Sequence, residues 1–175
     1  MAKIRFSVIA ASTAATAVGA TALLYFRSPA LPRDGVSALV LLAILALLAE
    51  LLSFLLPHNA RGSIAFVPYL ASVLIVPHWY SVIAIVVVTG LTQIATKNRF
   101  DRGLFNVAQH ALTLAIAILV YLKLGGDSFI TMQGEGIAKV TNTFGLAAVI
   151  AYAVSFFLNT LIVSAAIAVL DGSTP

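Results

Sequence analysis

Six hydrophobic runs fill most of the chain, and this pattern constrains the fold more than any other feature. They cover residues 6–26, 36–56, 64–76, 79–96, 104–124 and 140–170. About 20 apolar residues are needed for a helix to cross a bilayer, and only the third run is much shorter. With 61% hydrophobic and 9% charged residues, the chain lacks the polar side chains that cover a water-soluble domain. The sequence predicts an all-α polytopic membrane helix bundle of about six transmembrane helices over residues 1–170, with a linker-like tail at 171–175.

Three of the runs leave alternatives open. The first, between Arg5 and Arg27, could be a signal peptide, because residues 20–22 resemble a cleavage site; its length favours a helix that is retained. The third contains Pro68, which predicts a tilted, kinked or partly re-entrant helix. The last is too long for an upright crossing, which predicts a tilt or an interfacial turn at its start.

Basic residues in the loops predict the orientation of the bundle. With six crossings, one side carries Lys3, Arg5, Arg61, Lys97, Arg99 and Arg102, and the other carries Arg27, Arg33, Lys123 and Lys139. The excess of six bases over four favours both termini in the cytoplasm under the positive-inside rule. Because the net charge of +4 is scattered over short loops, it predicts no nucleic-acid partner.

One carboxylate and one histidine lie inside the apolar runs. Glu50 is the only carboxylate there, and a carboxylate at that depth faces the bundle interior or a cavity and finds a partner. It either snorkels toward the interface or holds two helices together through a hydrogen bond, or else it binds a ligand or a proton. His110 either titrates near neutral pH or is a buried histidine satisfied by a neighbour.

Polar stripes mark the end of the fourth run and the start of the fifth. At helical spacing the fourth carries Thr89, Thr92, Gln93 and Thr96, and the fifth carries Asn106, Gln109, His110 and Thr113. Because the two runs share one short loop, both stripes lie at the same depth. We predict one intramembrane polar network in the cytoplasmic half, consisting of Glu50, Gln93, Asn106, Gln109, His110 and Asn159.

The sequence contains no recognisable catalytic machinery. Phosphate-binding glycine loops and Ser-His-Asp arrangements are missing, and there are no cysteines. His58 and His78 fall on opposite faces of the membrane, so the histidines cannot form one metal site. We therefore predict no catalytic residue, no metal and no cofactor. Glu50 and His110 would be the only acid–base pair for an embedded enzyme, which is the weakest alternative.

Ala11, Ala15 and Gly19 recur at four-residue spacing in the first run. Small residues at this spacing let helices approach closely. The stripe could serve packing within the chain or contact with a partner subunit.

Residues 61–126 carry a resemblance to a known family. A basic loop, KNRFDRG, runs into RGLFNVAQ at residues 102–109. This resembles the N-terminal membrane sensor regions of bacterial HD-domain phosphohydrolases and diguanylate cyclases. Such regions are similar in turn to the substrate-binding subunits of energy-coupling-factor vitamin transporters, which are six-helix bundles with small residues at this spacing in their first helix. The resemblance implies a multi-pass protein of the bacterial inner membrane.

Three functions follow as expectations. The first is a sensory or ligand-binding module, with a small-molecule ligand and an output domain that either follows in a longer protein or is a separate subunit. The second is an accessory or structural subunit of a larger membrane complex. The third is a substrate-binding subunit of an energy-coupling-factor-type transporter, which requires a cavity open to the outside, lined by residues 125–136 and 77–80.

Overall fold

A computed structural model describes residues 2–28, 30–31, 33–52, 54–55, 61–62, 64–131 and 144–171. The described residues form six helices and one pair of short strands. The helices are α1 (Ala2–Arg27), α2 (Gly35–Leu51), α3 (Phe66–Ile75), α4 (Trp79–Ala95), α5 (Phe100–Lys123) and α6 (Gly145–Asp171). Strands β1 (Phe54–Leu55) and β2 (Arg61–Gly62) pair antiparallel between α2 and α3. The prediction of a helical chain is confirmed for these residues, apart from the strand pair.

Two helix boundaries differ from the prediction. α2 ends at Leu51 rather than at residue 56, because the chain extends into β1, and the residue before Pro57 is disfavoured in a helix. α5 begins at Phe100 rather than at residue 104, and its first turn contains Asp101, whose negative charge suits a helix N-terminus. Much of the predicted basic loop is therefore helix. The last hydrophobic run was predicted to begin at residue 140, and the tail was predicted at residues 171–175. Residues 140–143 and 172–175 lie outside the described residues, and Asp171 is the last residue of α6.

Pro68 lies near the start of α3 and does not divide it. It is the third residue of a helix that is continuous from Phe66 to Ile75. A backbone N–H in the first turn has no intrahelical partner, so its loss at proline costs little there. The proline therefore belongs to the helix start and not to an internal kink.

α5 is the central helix of the bundle. Of its most apolar window 61% is buried, against 22% for α1 and 11% for α6. Alanines Ala108, Ala111, Ala115 and Ala117 are buried along it, so neighbouring helices come close to its backbone. α1, α4 and α6 pack on α5, while α2 packs on α3 and α4.

Successive helices alternate in direction. Phe6 of α1 packs on Phe105 near the start of α5, with ring centroids 5.5 Å apart, and both bury against Ala166 near the end of α6. Beyond the other end of α1, the Ser28 hydroxyl accepts a hydrogen bond from the backbone N–H of Trp79 at 3.2 Å. The bundle thus has two ends, termed here the α4–α5 end (residues 96–99) and the α3–α4 end (residues 76–78).

Three helices are long and apolar enough to cross a membrane: Phe6–Arg27, Phe100–Lys123 and Gly145–Val169. α2, α3 and α4 are apolar but shorter, with 17, 10 and 17 residues. The outer surface carries large apolar side chains, with Phe26 80% exposed and Phe157 70% exposed. Such a surface is unfavourable in water and suits lipid. These are the features of a membrane protein with transmembrane helices.

The face of α1 that packs within the chain is not the predicted small-residue stripe. Phe6, Ala10, Ala17 and Leu24 are buried. Ala11, Ala15 and Gly19 are exposed, and a Cβ added to Gly19 would meet nothing within 4 Å. Within the described chain the stripe therefore takes no part in helix packing, and its role in binding a partner stays a prediction.

Candidate functional site

A polar cavity lies between α2, α3, α4, α5 and α6 at the α4–α5 end. Its volume is about 540 Å³. Its described lining consists of Glu50, Ala65, Phe66, Tyr69, Leu70, Thr89, Thr92, Gln93, Thr96, Asn98, Asn106, His110, Thr113, Leu114, Tyr152, Ser155, Phe156 and Asn159. Asn98 is exposed beside the α4–α5 connection, so the cavity reaches the surface at this end. Leu114 lies about 20 Å along α5 from its first residue, so the cavity extends to the middle of the bundle.

The structure brings together the residues of the predicted polar network. Glu50, Gln93, Asn106, His110 and Asn159 line the cavity. Gln109 is buried and donates a hydrogen bond from Nε2 to Oδ1 of Asn159, which joins α5 to α6. The functional role of these six residues stays a prediction, while their convergence is a feature of the structure.

Carboxamide groups form the wall nearest the opening. The side-chain oxygen of Gln93 accepts hydrogen bonds from Asn106 at 3.2 Å and from Asn98 at 2.8 Å. Asn98 also donates to the Thr96 hydroxyl at 3.0 Å. These bonds fix the end of α4 against the start of α5. They also orient the amide groups at the cavity mouth.

Glu50, Tyr69 and His110 form the opposite wall. The Tyr69 hydroxyl donates to Oε1 of Glu50 at 3.1 Å, and its ring meets the His110 ring edge-on with centroids 5.5 Å apart. Tyr69 thus contacts both ionisable residues that the sequence singled out.

The threonine hydroxyls of the cavity donate to their own helices. Thr89 donates to the carbonyl of Ile85 at 2.6 Å, and Thr92 to the carbonyl of Thr89 at 2.8 Å. Thr96 and Thr113 do the same over one helical turn. Since the hydroxyl protons are engaged in this way, these oxygens can only accept a hydrogen bond from a molecule in the cavity.

Three cavity groups make no hydrogen bond within the described chain: the ring nitrogens of His110 and the hydroxyls of Tyr152 and Ser155. Unpaired polar groups inside a protein are unfavourable unless water or a ligand pairs with them. Among the described residues, every fully buried side-chain nitrogen or oxygen atom has a hydrogen-bond partner. The groups without a partner are therefore not fully buried, and a molecule in the cavity can reach them. The site can therefore bind a molecule that offers them hydrogen bonds.

A packed loop, residues 124–131, lies at the α3–α4 end of the bundle and does not line the cavity. The Ser128 hydroxyl donates to the Ile75 carbonyl at 2.6 Å, and the Phe129 N–H donates to the Leu74 carbonyl at 2.9 Å. The Tyr121 hydroxyl donates to the Asp127 carbonyl at 3.0 Å. This loop therefore seals the end of α3 against the end of α5.

Among the described residues, no three histidine, aspartate or glutamate side chains are placed to hold a metal ion. Tyr69 lies against both Glu50 and His110, and no cysteine is present in the chain. The prediction that the chain is not an enzyme stays a prediction.

Several lining residues were not identified from the sequence. Tyr152, Ser155 and Asn159 share one face of α6 at spacings of three and four, the signal that revealed the stripes of α4 and α5. Asn159 was identified and its two companions were missed. Tyr69 gave no such signal, because its role comes from contact with Glu50, 19 residues away in the chain.

Comparisons of the chain with protein-family models, with curated proteins and with solved structures of other proteins return no match.

Proposed function

We propose that this chain is a membrane-embedded module that binds a small molecule in the polar cavity and has no catalytic activity of its own. The cavity of about 540 Å³ carries this proposal, because small-molecule sites typically measure about 300–1,000 Å³. Polar residues inside an apolar bundle are costly, and such residues usually mark a ligand or ion path. Here they gather around one cavity that reaches the surface.

The proposal includes six membrane crossings with both termini in the cytoplasm. Three long apolar helices and three shorter ones that alternate in direction support it. At the α3–α4 end, Tyr25, Trp79 and Tyr80 form an aromatic cluster, with Tyr25 and Trp79 centroids 5.4 Å apart. Such clusters are typical of a membrane–water interface. The cavity then opens toward the cytoplasm of a bacterial inner-membrane protein.

A sensory role fits this arrangement. Asn159 lines the cavity, and its bond to Gln109 ties α6 to α5. α6 then runs back toward the cytoplasmic side, where an output domain or partner subunit would receive the signal. A ligand that binds one α5–α6 arrangement more tightly than another would shift their populations. The transporter alternative requires a cavity open to the outside, and the described residues of 77–80 and 125–131 do not line this cavity.

An accessory subunit of a membrane complex is the second candidate. The observation that favours it is the exposed stripe of Ala11, Ala15 and Gly19, because a partner helix could approach α1 closely there. Stoichiometric co-purification that is lost on Ala15→Leu, without any ligand-dependent stabilisation, would distinguish this function from ligand binding.

The test of ligand binding is native mass spectrometry of the protein purified from bacterial membranes. We expect a co-purified small molecule, which Ser155→Trp removes by filling the cavity. Val149→Trp is the matched control, because Val149 is 64% exposed on the same helix and does not line the cavity. Loss of the molecule in both variants, or its retention in Ser155→Trp, would contradict binding at this site.

A further inference from the structure

We infer that the cavity also opens sideways into the bilayer between α3 and α6, and that its ligand is an amphipathic molecule; this inference rests on the proposed function. The polar group of the ligand lies inside the cavity, and its apolar chain lies in the side opening. Within the described chain, α1 packs on α4 and α6, and α4 packs on α3. The packing partners of α3 are α2, α4 and α5, and those of α6 are α1 and α5. The ring of helices around α5 is therefore not closed between α3 and α6.

The exposed residues of the cavity lining mark the same side. One of them, Asn98, lies at the α4–α5 connection, and the other exposed members of the described lining are Phe66, Tyr152 and Phe156. Phe66 of α3 is 54% exposed and Phe156 of α6 is 56% exposed, although both line the cavity. A side chain that lines a cavity and is half exposed lies at its rim. Together with Leu70 these three residues are termed here the rim.

The rim lies at the depth of the hydrocarbon core. Tyr152 and Phe156 follow the start of α6 by about 10 Å and about 16 Å along the helix. The span Gly145–Val169 is long and apolar enough to cross a membrane, so both residues lie well inside it. In the proposed orientation this side of the cavity therefore faces acyl chains, whereas the mouth beside Asn98 faces the cytoplasm.

Behind the rim the cavity is polar. The hydroxyls of Tyr152 and Ser155 and the ring nitrogens of His110 make no hydrogen bond within the described chain. Gln93 and Asn159 add carboxamides, which both donate and accept. A hydroxyl-bearing head group also donates and accepts, so it can pair with these groups.

The head group should determine whether the ligand binds. Lipid tails are as apolar as a leucine side chain, so an apolar chain gains little when it moves from the bilayer to the rim. Hydrogen bonds made inside the cavity are absent for a molecule dissolved among the tails. A ligand with both parts is therefore retained, and a plain hydrocarbon is not.

The test is photolabelling in phosphatidylcholine nanodiscs with a monoacylglycerol whose acyl chain carries a diazirine. Mass spectrometry compares labelling of the rim with labelling of Phe157, which is exposed on α6 and does not line the cavity. We expect about fivefold more label at the rim, because one net hydrogen bond favours the bound state by about that factor. Unlabelled monoacylglycerol should remove this excess. A diazirine-bearing alkane without a head group should label both places equally.

Two variants connect the excess label at Phe66 and Phe156 to the cavity. Tyr152→Phe keeps the ring and removes one hydroxyl, so it should lower the excess about twofold to tenfold. Tyr25→Phe is its matched control, because Tyr25 is exposed and lies outside the cavity. Ser155→Trp should abolish the excess by filling the space of the head group, and Val149→Trp should leave it unchanged.

Equal monoacylglycerol labelling of the rim and Phe157 would overturn the inference, as would an equal rim excess with the alkane. So would an excess that is unchanged in both Tyr152→Phe and Ser155→Trp. If the rim shows no excess while Ser155→Trp still removes a co-purified molecule, the ligand class is wrong and the proposed function stands. If the rim shows no excess and Ser155→Trp removes nothing, both fail.

Discussion

The two ends of the bundle use their polar groups in opposite ways. At the α3–α4 end, Ser128 and the Phe129 N–H donate across the chain to carbonyls of Ile75 and Leu74. At the α4–α5 end, Thr92 and the other threonines that line the cavity donate within their own helices. The hydroxyl and N–H groups of the first end therefore join separate elements, whereas the threonine hydroxyls of the second end join none, and among its described side chains only the carboxamides connect α4 to α5. Changes at the first end should reduce stability, while changes at the second should reduce binding.

The largest expected effect is at Gly126, under the ring of Tyr121. A Cβ on this glycine would lie 2.6 Å from three ring carbons, and Tyr121 is only 1% exposed, so the ring has little room to move. Gly126→Ala should therefore lower the free energy of unfolding by up to about 3 kcal/mol. Denaturation in mixed micelles measures this. Gly19→Ala, where a Cβ meets nothing, is the control; equal stability of the two variants would show that the loop does not seal this end.

Ser128→Ala should have the next largest effect. The hydroxyl is buried, with the residue 2% exposed, and its loss removes one of the two bonds described above that join the loop to the end of α3. A cost of about 1–2 kcal/mol is expected for a buried hydrogen bond lost without replacement. Ser12→Ala is the control, because Ser12 donates to its own helix at 2.9 Å and is exposed. A smaller loss for Ser128→Ala than for Ser12→Ala would contradict the comparison between the ends.

The Gln109–Asn159 bond lies between the two ends and should have a smaller energy. A double-mutant cycle with Gln109→Ala and Asn159→Ala should give a coupling energy of about 0.6 kcal/mol, since hydrogen bonds between membrane helices average near that value. A cycle of Gln109→Ala with Thr160→Ala should give none, because Thr160 is exposed on α6 and bonds to its own helix. Equal coupling in the two cycles would count against a direct link between α5 and α6.

The smallest effect on stability is expected for Thr92→Val. The hydroxyl proton is donated to Thr89 of the same helix, so its loss leaves no contact between elements broken. The free energy of unfolding should stay within about 0.5 kcal/mol of the unmodified protein. The same denaturation experiment measures it, beside Thr160→Val. A loss as large as that for Ser128→Ala would mean that the α4–α5 end also depends on its polar groups for folding.

Hydrophobic runs predicted the existence and order of the helices, because burial and lipid contact act over whole segments. They predicted boundaries less well, because these depend on single contacts. α2 ends just before the strand pair of β1 and β2. α5 includes Asp101 in its first turn, although the charged residues of this segment had predicted a loop. A hydropathy profile reveals neither the strand pairing nor the effect of the Asp101 charge.

The residues of the site also fall into those that the sequence predicted and those that it did not. Stripes with spacings of three and four predicted the walls contributed by α4 and α5, since helical geometry fixes which residues share a face. The contact between Glu50 and Tyr69 depends on how α2 packs against α3, and a single sequence does not reveal it. The direction in which the threonine hydroxyls donate their protons could not be predicted from the sequence either.

The depth of the cavity also determines how much of the membrane voltage a charged ligand would cross. In the six-span orientation proposed above, a cavity open to the cytoplasm carries the cytoplasmic electrical potential to the level of Leu114. Moving one charge through a full membrane potential of 100 mV involves about 2.3 kcal/mol. Because most of that voltage would fall across the α3–α4 end, a charged ligand that enters the cavity from the cytoplasm crosses little of it. Occupancy of the cavity should then follow the cytoplasmic concentration of the ligand and be insensitive to the energised state of the membrane.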